Sequence, residues 1–223
     1  MISDVRNMDC LEFMKEFPDK FFEIAIVDPP YQLGTGNVNK NKSTHSGAGK
    51  LKSRVLNQQA GKFEKWDIAP TKEYWDELFR VSKNQIIWGG NYFPLPPTRC
   101  IVVWDKVQPW ENFSQVEIAW TSFDYPAKLF RFDNRTGDKI HACQKPIELY
   151  AYLIKNFCNS GDKILDTHLG SGSSRIAAYK MGYDFYGSEI DSDYFKSSCD
   201  RFDKECLGIE RINGHTITQQ SLF

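Results

Sequence analysis

Short runs of apolar, β-branched residues alternate along this chain with longer stretches whose apolar positions recur every three or four residues. The short runs predict strands over residues 2–6, 22–27, 85–88, 101–104, 116–120, 163–166 and 184–188, with a further candidate at 129–132. Ile24-Ala-Ile-Val27 and Ile101-Val-Val103 carry no polar face, as expected of strands covered on both sides of a parallel sheet. Helices are predicted over 9–17, 72–81, 147–157, 173–181 and 193–206. In the third, Tyr150, Leu153, Ile154 and Phe157 make one apolar stripe. In the last, Tyr194, Phe195, Ser198, Cys199 and Phe202 share a face, and Asp191 or Ser192 is placed to cap its start. Alternation of this kind predicts an α/β fold built on a doubly wound, mostly parallel sheet.

Two turns break this pattern with residues that suit chemistry. Lys163-Ile-Leu-Asp-Thr-His-Leu-Gly-Ser-Gly-Ser-Ser reads as a strand, a glycine turn and a helix start. Gly170 and Gly172 let a ligand approach the backbone at the carboxyl end of the strand, and the helix start beyond offers N–H groups. Glu189, 19 positions after Gly170 and just past the next strand, can accept hydrogen bonds from two ribose hydroxyls. A dinucleotide fingerprint would have glycine at 175, where this chain has Arg175, so the turn suits a nucleoside-bearing ligand other than NAD.

The second turn, Asp28-Pro29-Pro30-Tyr31, follows directly on an apolar strand. Its prolines donate no N–H, so it presents acceptors: the Asp28 carboxylate and main-chain carbonyls. The exocyclic amine of a nucleobase is a poor nucleophile because its lone pair is delocalised into the ring. Two acceptors holding its hydrogens turn that lone pair outward and stabilise the positive charge that grows on nitrogen. Tyr31 adds an aromatic face on which a base can stack.

Together the two turns resemble the amino-methylating DNA methyltransferases that use S-adenosyl-L-methionine, in the permuted arrangement with the catalytic turn before the cofactor turn. Asp28-Pro-Pro-Tyr31 matches that family's catalytic motif, and Asp166-Thr-His-Leu-Gly-Ser-Gly-Ser173 is similar to its cofactor motif, departing from the commoner Asp-Pro-Phe at Thr167 and His168. Gln144-Lys145-Pro146 resembles the motif that closes over the methionine end, and Arg6-Asn-Met-Asp9-Cys10 the segment that reaches the adenine. Trp88-Gly-Gly-Asn-Tyr-Phe93 and Val103-Trp-Asp-Lys106 look like segments of phage and restriction-modification members. The resemblance implies a seven-stranded, Rossmann-like methyltransferase sheet in a single domain over residues 1–223. It implies that Asp28, Pro29, Pro30 and Tyr31 are catalytic. Asp9, Cys10 and Glu189 are to hold the nucleoside, and Gly170, Ser171, Gly172 and Ser173 the amino-acid end, with Asp28, Lys145, Asp166 and His168 beside them. The substrate it implies is adenine in double-stranded DNA, flipped from the helix. Four readings compete: the adenine amine, the cytosine amine, an RNA or protein amide, and a non-catalytic DNA-binding protein. None of the six cysteines follows a proline, unlike the thiol nucleophile used for methylation at ring carbon.

Composition changes the picture in one place. A net charge of −1 on 223 residues argues against a generic basic coat for nucleic acid. Yet residues 34–65 hold seven basic residues and one acid, Glu64, giving +6 in one polar, glycine-rich segment and −7 elsewhere. That segment is expected to be a long loop whose Lys40, Lys42, Lys50, Lys52 and Arg54 grip DNA phosphates. A small target-recognition region is expected over about 93–141. The 41% hydrophobic content predicts a folded chain. No apolar run of roughly 18 residues and no basic-then-apolar start predict a cytoplasmic protein without membrane contact. Cysteine and histidine spacing gives no metal site. A cognate restriction endonuclease and a homodimer are the partners left open.

Overall fold

In a computed structural model the described residues are 1–32, 68–108, 114–133, 144–212 and 215–218. The basic segment with Lys40, Lys42, Lys50, Lys52 and Arg54 lies outside them, as do parts of the 93–141 region. In chain order the elements are β1 (Ser3–Asn7), α1 (Cys10–Lys15), β2 (Phe22–Val27), α2 (Lys72–Val81) and β3 (Ser82–Trp88), then a short 3-10 turn at Gly90–Tyr92. They continue with β4 (Ile101–Asp105), β5 (Val116–Thr121), β6 (Lys128–Arg131), α3 (Ile147–Phe157) and β7 (Lys163–Asp166). After these come α4 (Ser173–Lys180), β8 (Asp184–Glu189), α5 (Ser192–Phe202), a π-turn at Asp203–Leu207, and a hairpin of β9 (Ile209–Ile212) and β10 (His215–Thr218).

Eight strands form one sheet in the order β1-β8-β7-β2-β3-β5-β4-β6. All neighbours are parallel except at β5, which runs antiparallel to β3 and to β4. The expected seven strands become eight because the candidate at 129–132 does pair, as β6 alongside β4 with Val103 opposite Leu129. This edge strand is short and Leu129 stays 63% exposed, which weakens its apolar signal in the sequence. The hairpin β9–β10 also lies outside the expected set.

The central parallel strands are buried on both faces, as their apolar runs require. From β2, Ile24 and Ile26 face one layer with Leu149, Leu153 and Ile154 of α3 and Ala177 of α4. Ala25 and Val27 face the other, with Phe13 and Met14 of α1 and Tyr74 and Leu78 of α2. Trp88, Trp104, Phe13 and Phe22 are among the largest fully buried side chains, each contributing about 1.5–3 kcal/mol by burial. Helix starts follow local chemistry: the Asp9 carboxylate accepts from the Leu11 and Glu12 N–H groups, and Asp191, rather than Ser192, caps α5 through Asp193 and Tyr194. Among the described residues no helix is long and apolar enough to cross a membrane.

Candidate active site

The parallel strands end along one edge, and the chemistry-bearing residues of the sequence stand on that edge in sheet order. Asp9 follows β1, Glu189 ends β8, Asp166 ends β7, Asp28 follows β2 and Gly89 follows β3. Asp28 and Asp166, far apart in sequence, are thus neighbours because β2 pairs with β7, Ile24 opposite Ile164 and Ala25 opposite Leu165. The edge of an open α/β sheet where strands diverge to both sides is where ligands bind.

The glycine turn is built tightly from below and open above. Gly170 (φ +51°) and Gly172 (φ +72°) take left-handed conformations. A Cβ on Gly172 would sit 3.2 Å from Ser198 Cβ, whereas one on Gly170 would meet only the His168 carbonyl, at 3.8 Å. Glu189 fastens the turn: one carboxylate oxygen accepts from the Gly170 N–H at 2.8 Å, the other from the Asp191 N–H at 3.0 Å. Behind it, Arg201 donates to the Ser171 carbonyl at 2.9 Å and to Ser173 Oγ at 2.8 Å, and Ser173 Oγ donates to the Lys145 carbonyl at 2.8 Å. Arg201 escaped the sequence reading, since a helix cation with no local partner has no signature there.

Asp166, buried, and His168, partly buried, flank the turn. Asp166 accepts from Ser174 Oγ at 2.5 Å and from the His168 N–H at 3.0 Å. Burial pushes its carboxyl up to about 7 against those two bonds, and the carboxylates of Asp28 and Glu189 push the same way. His168 Nδ1 lies 2.9 Å from Thr167 Oγ1, which in turn lies 2.7 Å from the Tyr74 hydroxyl. Desolvation by the surrounding protein lowers this imidazole to about 4, although Asp28 and Asp9 oppose the shift, so it is neutral at pH 7. Cys10 beside Asp9 is held as a thiol, pushed by burial to about 12.

These two groups oppose each other in stability. Between about 4 and 7 the folded state keeps a proton on Asp166 that the unfolded chain has lost, so this contribution is full at low pH and fades as pH rises to 7. Between about 6.5 and 4 the unfolded chain holds a proton that folded His168 does not, so that contribution is full above 6.5 and fades on acidification. The two slopes largely cancel. Asp166→Asn is expected to expose the histidine slope, with stability falling by at most about 1.4 kcal/mol per pH unit from 6.5 to 4. His168→Gln should show the reverse trend. Urea unfolding at pH 7, 5.5 and 4.5 measures both; three parallel profiles would refute the assignment.

The Asp-Pro-Pro-Tyr turn holds its acid firmly. Asp28 Oδ1 accepts from the Tyr31 hydroxyl at 2.5 Å, and Oδ2 from Lys145 Nζ. Tyr31 stacks on Tyr92, ring centroids 5.1 Å apart and 25° between planes, with Phe93 edge-on at 5.9 Å. Gly89, at φ +67°, makes this possible: a Cβ there would sit 2.3 Å from the Tyr31 ring. The Lys145 side chain is 4% exposed and also pairs with Glu117 at 3.2 Å. Burial alone would lower its ammonium; Asp28 and Glu117 outweigh that and hold it above its ordinary value. Lys145 therefore reaches the glycine turn through its carbonyl and the Asp-Pro-Pro-Tyr turn through its side chain. Glu117 was missed by sequence reading, although an acid inside the apolar strand Val116–Thr121 is the kind of outlier that flags a site.

The edge thus carries the carboxyl groups of Asp9, Glu189, Asp166 and Asp28, of which Asp28 is paired with the buried Lys145 ammonium. That balance, with open space above Gly170, fits a nucleoside ligand bearing positive charge.

Residues 100–200 match the family model described as DNA methylase for N6 and N4 enzymes. The chain is 20% identical over 244 aligned positions to the type II methyltransferase M1.MboII of Moraxella bovis, covering 86% of this chain and 94% of that protein. It is 32% identical over 92 residues to M.HpaI of Haemophilus parainfluenzae, covering 40% of this chain and 29% of that one. Its fold is shared by a putative DNA modification methylase of Thermus thermophilus complexed with S-adenosyl-L-methionine, at TM-score 0.59 and 18% identity over 97% of this chain and 100% of that one. The cytosine-N4-specific PvuII DNA methyltransferase shares it at TM-score 0.60 and 12% identity, over 96% of this chain and 97% of the other. By sequence match across its middle and near full-length likeness to a relative, the chain is similar to the N4/N6 DNA methyltransferases.

Proposed function

We propose that the protein methylates the exocyclic N6 amine of adenine in double-stranded DNA, with S-adenosyl-L-methionine as methyl donor. What carries the reading is the Asp28 carboxylate, fixed by Tyr31 and Lys145 one strand away from the glycine turn. The donor suits the open, carboxylate-rich edge: Glu189 and Asp9 would hold the ribose and adenine, and Gly170 to Ser173 with Asp166 and His168 the amino-acid end. When bound, it supplies an electrophilic sulfonium methyl. Asp28 and a carbonyl of the Asp28–Tyr31 turn accept the two amine hydrogens, which directs the nitrogen lone pair outward. Tyr31 offers its ring to the flipped base, a contact worth about 1–3 kcal/mol. As nitrogen takes the methyl it becomes cationic, the pair of the broken carbon–sulfur bond would remain with the departing thioether, and one hydrogen leaves as a proton along the bond to Asp28. No side chain becomes covalently attached.

Asp rather than Ser at the head of the turn supports adenine over cytosine. The chain is read as one domain in the permuted order, working in the cytoplasm, with the Lys40–Arg54 cations on DNA phosphates. A restriction endonuclease for the same site and pairing of two copies belong to this reading. Mass analysis of nucleosides from unmethylated DNA treated with the protein is expected to yield N6-methyladenine. N4-methylcytosine in its place would transfer the reading to the cytosine amine, and no methylated base would overturn it.

A further inference from the structure

Behind Asp28 four side chains form an alternating row of charge: Asp28, Lys145, Glu117 and Lys106. Lys145 bonds Asp28 on one side and lies 3.2 Å from Glu117 Oε2 on the other. Lys106 bonds the second Glu117 oxygen and rests over the Trp104 ring, 5.2 Å from its centroid. The row exists because β5 runs against the sheet. Its first residues, not its last, stand at the edge where the other strands end, so Glu117 opposite Trp104 comes up beside the catalytic turn. Lys106 is brought next to it by the hairpin of β4 and β5, where its N–H bonds the Gln115 carbonyl at 3.0 Å.

The contact between Glu117 and Lys145 is of an electrostatic kind. Glu117 Oε2 is buried and, among the described residues, makes no hydrogen bond of proper geometry; what faces it is the ammonium charge. An ammonium shielded from water and given one carboxylate would collapse onto it and draw off its capacity to accept other hydrogens. A second carboxylate on the far side divides that pull, and Lys106 keeps the row neutral.

We propose that Glu117, anchored by Lys106, is a positioning residue for methyl transfer: it holds Lys145 between two carboxylates and so keeps Asp28 oriented and strong as an acceptor for the substrate amine. This rests on the methyl-transfer reading above. The charge state agrees, for although burial pushes the Glu117 carboxyl up, Lys145 and Lys106 outweigh it and hold it down at about 2.

The test uses the full chain, labelled S-adenosyl-L-methionine and genomic DNA from a host lacking adenine methylation. Glu117→Gln keeps the shape and removes the charge. It is expected to lower kcat about tenfold, equivalent to 1.36 kcal/mol on the barrier, with KM for donor and DNA within about twofold of wild type. Lys106→Met should lower kcat in the same sense, and on the Glu117→Gln background it should add less than about a twofold loss, since both act through one contact. A Glu117→Gln protein with wild-type kcat, a loss confined to KM, or losses that multiply in the double variant would overturn the proposal. If Glu117→Gln does not fold, judged by circular dichroism, Lys106→Met decides, and an unchanged kcat refutes it. Wild type that moves no methyl to DNA overturns the functional reading and this proposal with it; wild type that does, beside an equally fast Glu117→Gln, overturns this proposal alone.

Discussion

Asp28→Asn is expected to lower the rate of methyl transfer by about 10²- to 10³-fold, the scale of losing one preorganised charged group aimed at a transition state. The substitution is nearly isosteric. The amide keeps one acceptor but loses the charge that stabilises the cationic nitrogen, and it can turn an NH2 toward the substrate amine. Because Asp28 belongs to a different strand from the glycine turn, donor binding should survive, with Kd within about threefold of wild type. Single-turnover transfer of labelled methyl to DNA measures the first quantity and calorimetry with S-adenosyl-L-methionine the second. Retention of more than about a tenth of the wild-type rate would remove Asp28 from the chemistry. Loss of both transfer and donor binding would assign it to the cofactor site instead.

The second large effect concerns stability. Lys145→Met should cost about 3–5 kcal/mol, because it leaves Asp28 and Glu117 facing each other without the ammonium they share. In a chain of this size that amounts to a fall in Tm of roughly 10 °C. The loss comes from stranded charge more than from a missing contact. The triple variant Lys145→Met, Asp28→Asn, Glu117→Gln should therefore recover most of it while remaining inactive. Urea denaturation of both variants measures this; a single variant within about 1 kcal/mol of wild type would show that water enters freely and that the pair is not truly buried.

Why some of this could be read from the chain and some could not is a matter of range. The helices at Lys72–Val81 and Ile147–Phe157 match their apolar stripes residue for residue, and β2 and β7 match their apolar runs. The acids that end those strands follow from the same local pattern, which is why Asp28 and Asp166 are legible in the chain alone. β3 begins three residues earlier than its apolar run, because Ser82-Lys-Asn84 passes from α2 straight into the sheet with no loop residue to mark the change. Its polar start is stabilised by contacts made elsewhere: Ser82 Oγ bonds the Leu78 carbonyl at 2.5 Å and Gln85 N–H bonds Ser122 Oγ at 2.9 Å. β6 is nearly invisible for the opposite reason, being a four-residue edge with alternate residues in water. The Asp28–Lys145–Glu117–Lys106 row depends on three chain segments meeting at one edge, and no spacing rule links positions 28, 117 and 145.

The pairing of β2 with β7 also sets when the candidate site comes into being. The Lys163 N–H bonds the Glu23 carboxylate across 140 positions of sequence, and Asn7 bonds the Glu189 carbonyl across 182. A chain leaving the ribosome can join β2 to β3 early, yet the crevice between Asp28 and the glycine turn has only one wall until residues beyond 189 have emerged. Closing so long a loop is slow. A nascent fragment that stops short of β7 therefore carries Asp28-Pro-Pro-Tyr31 without the glycine turn beside it.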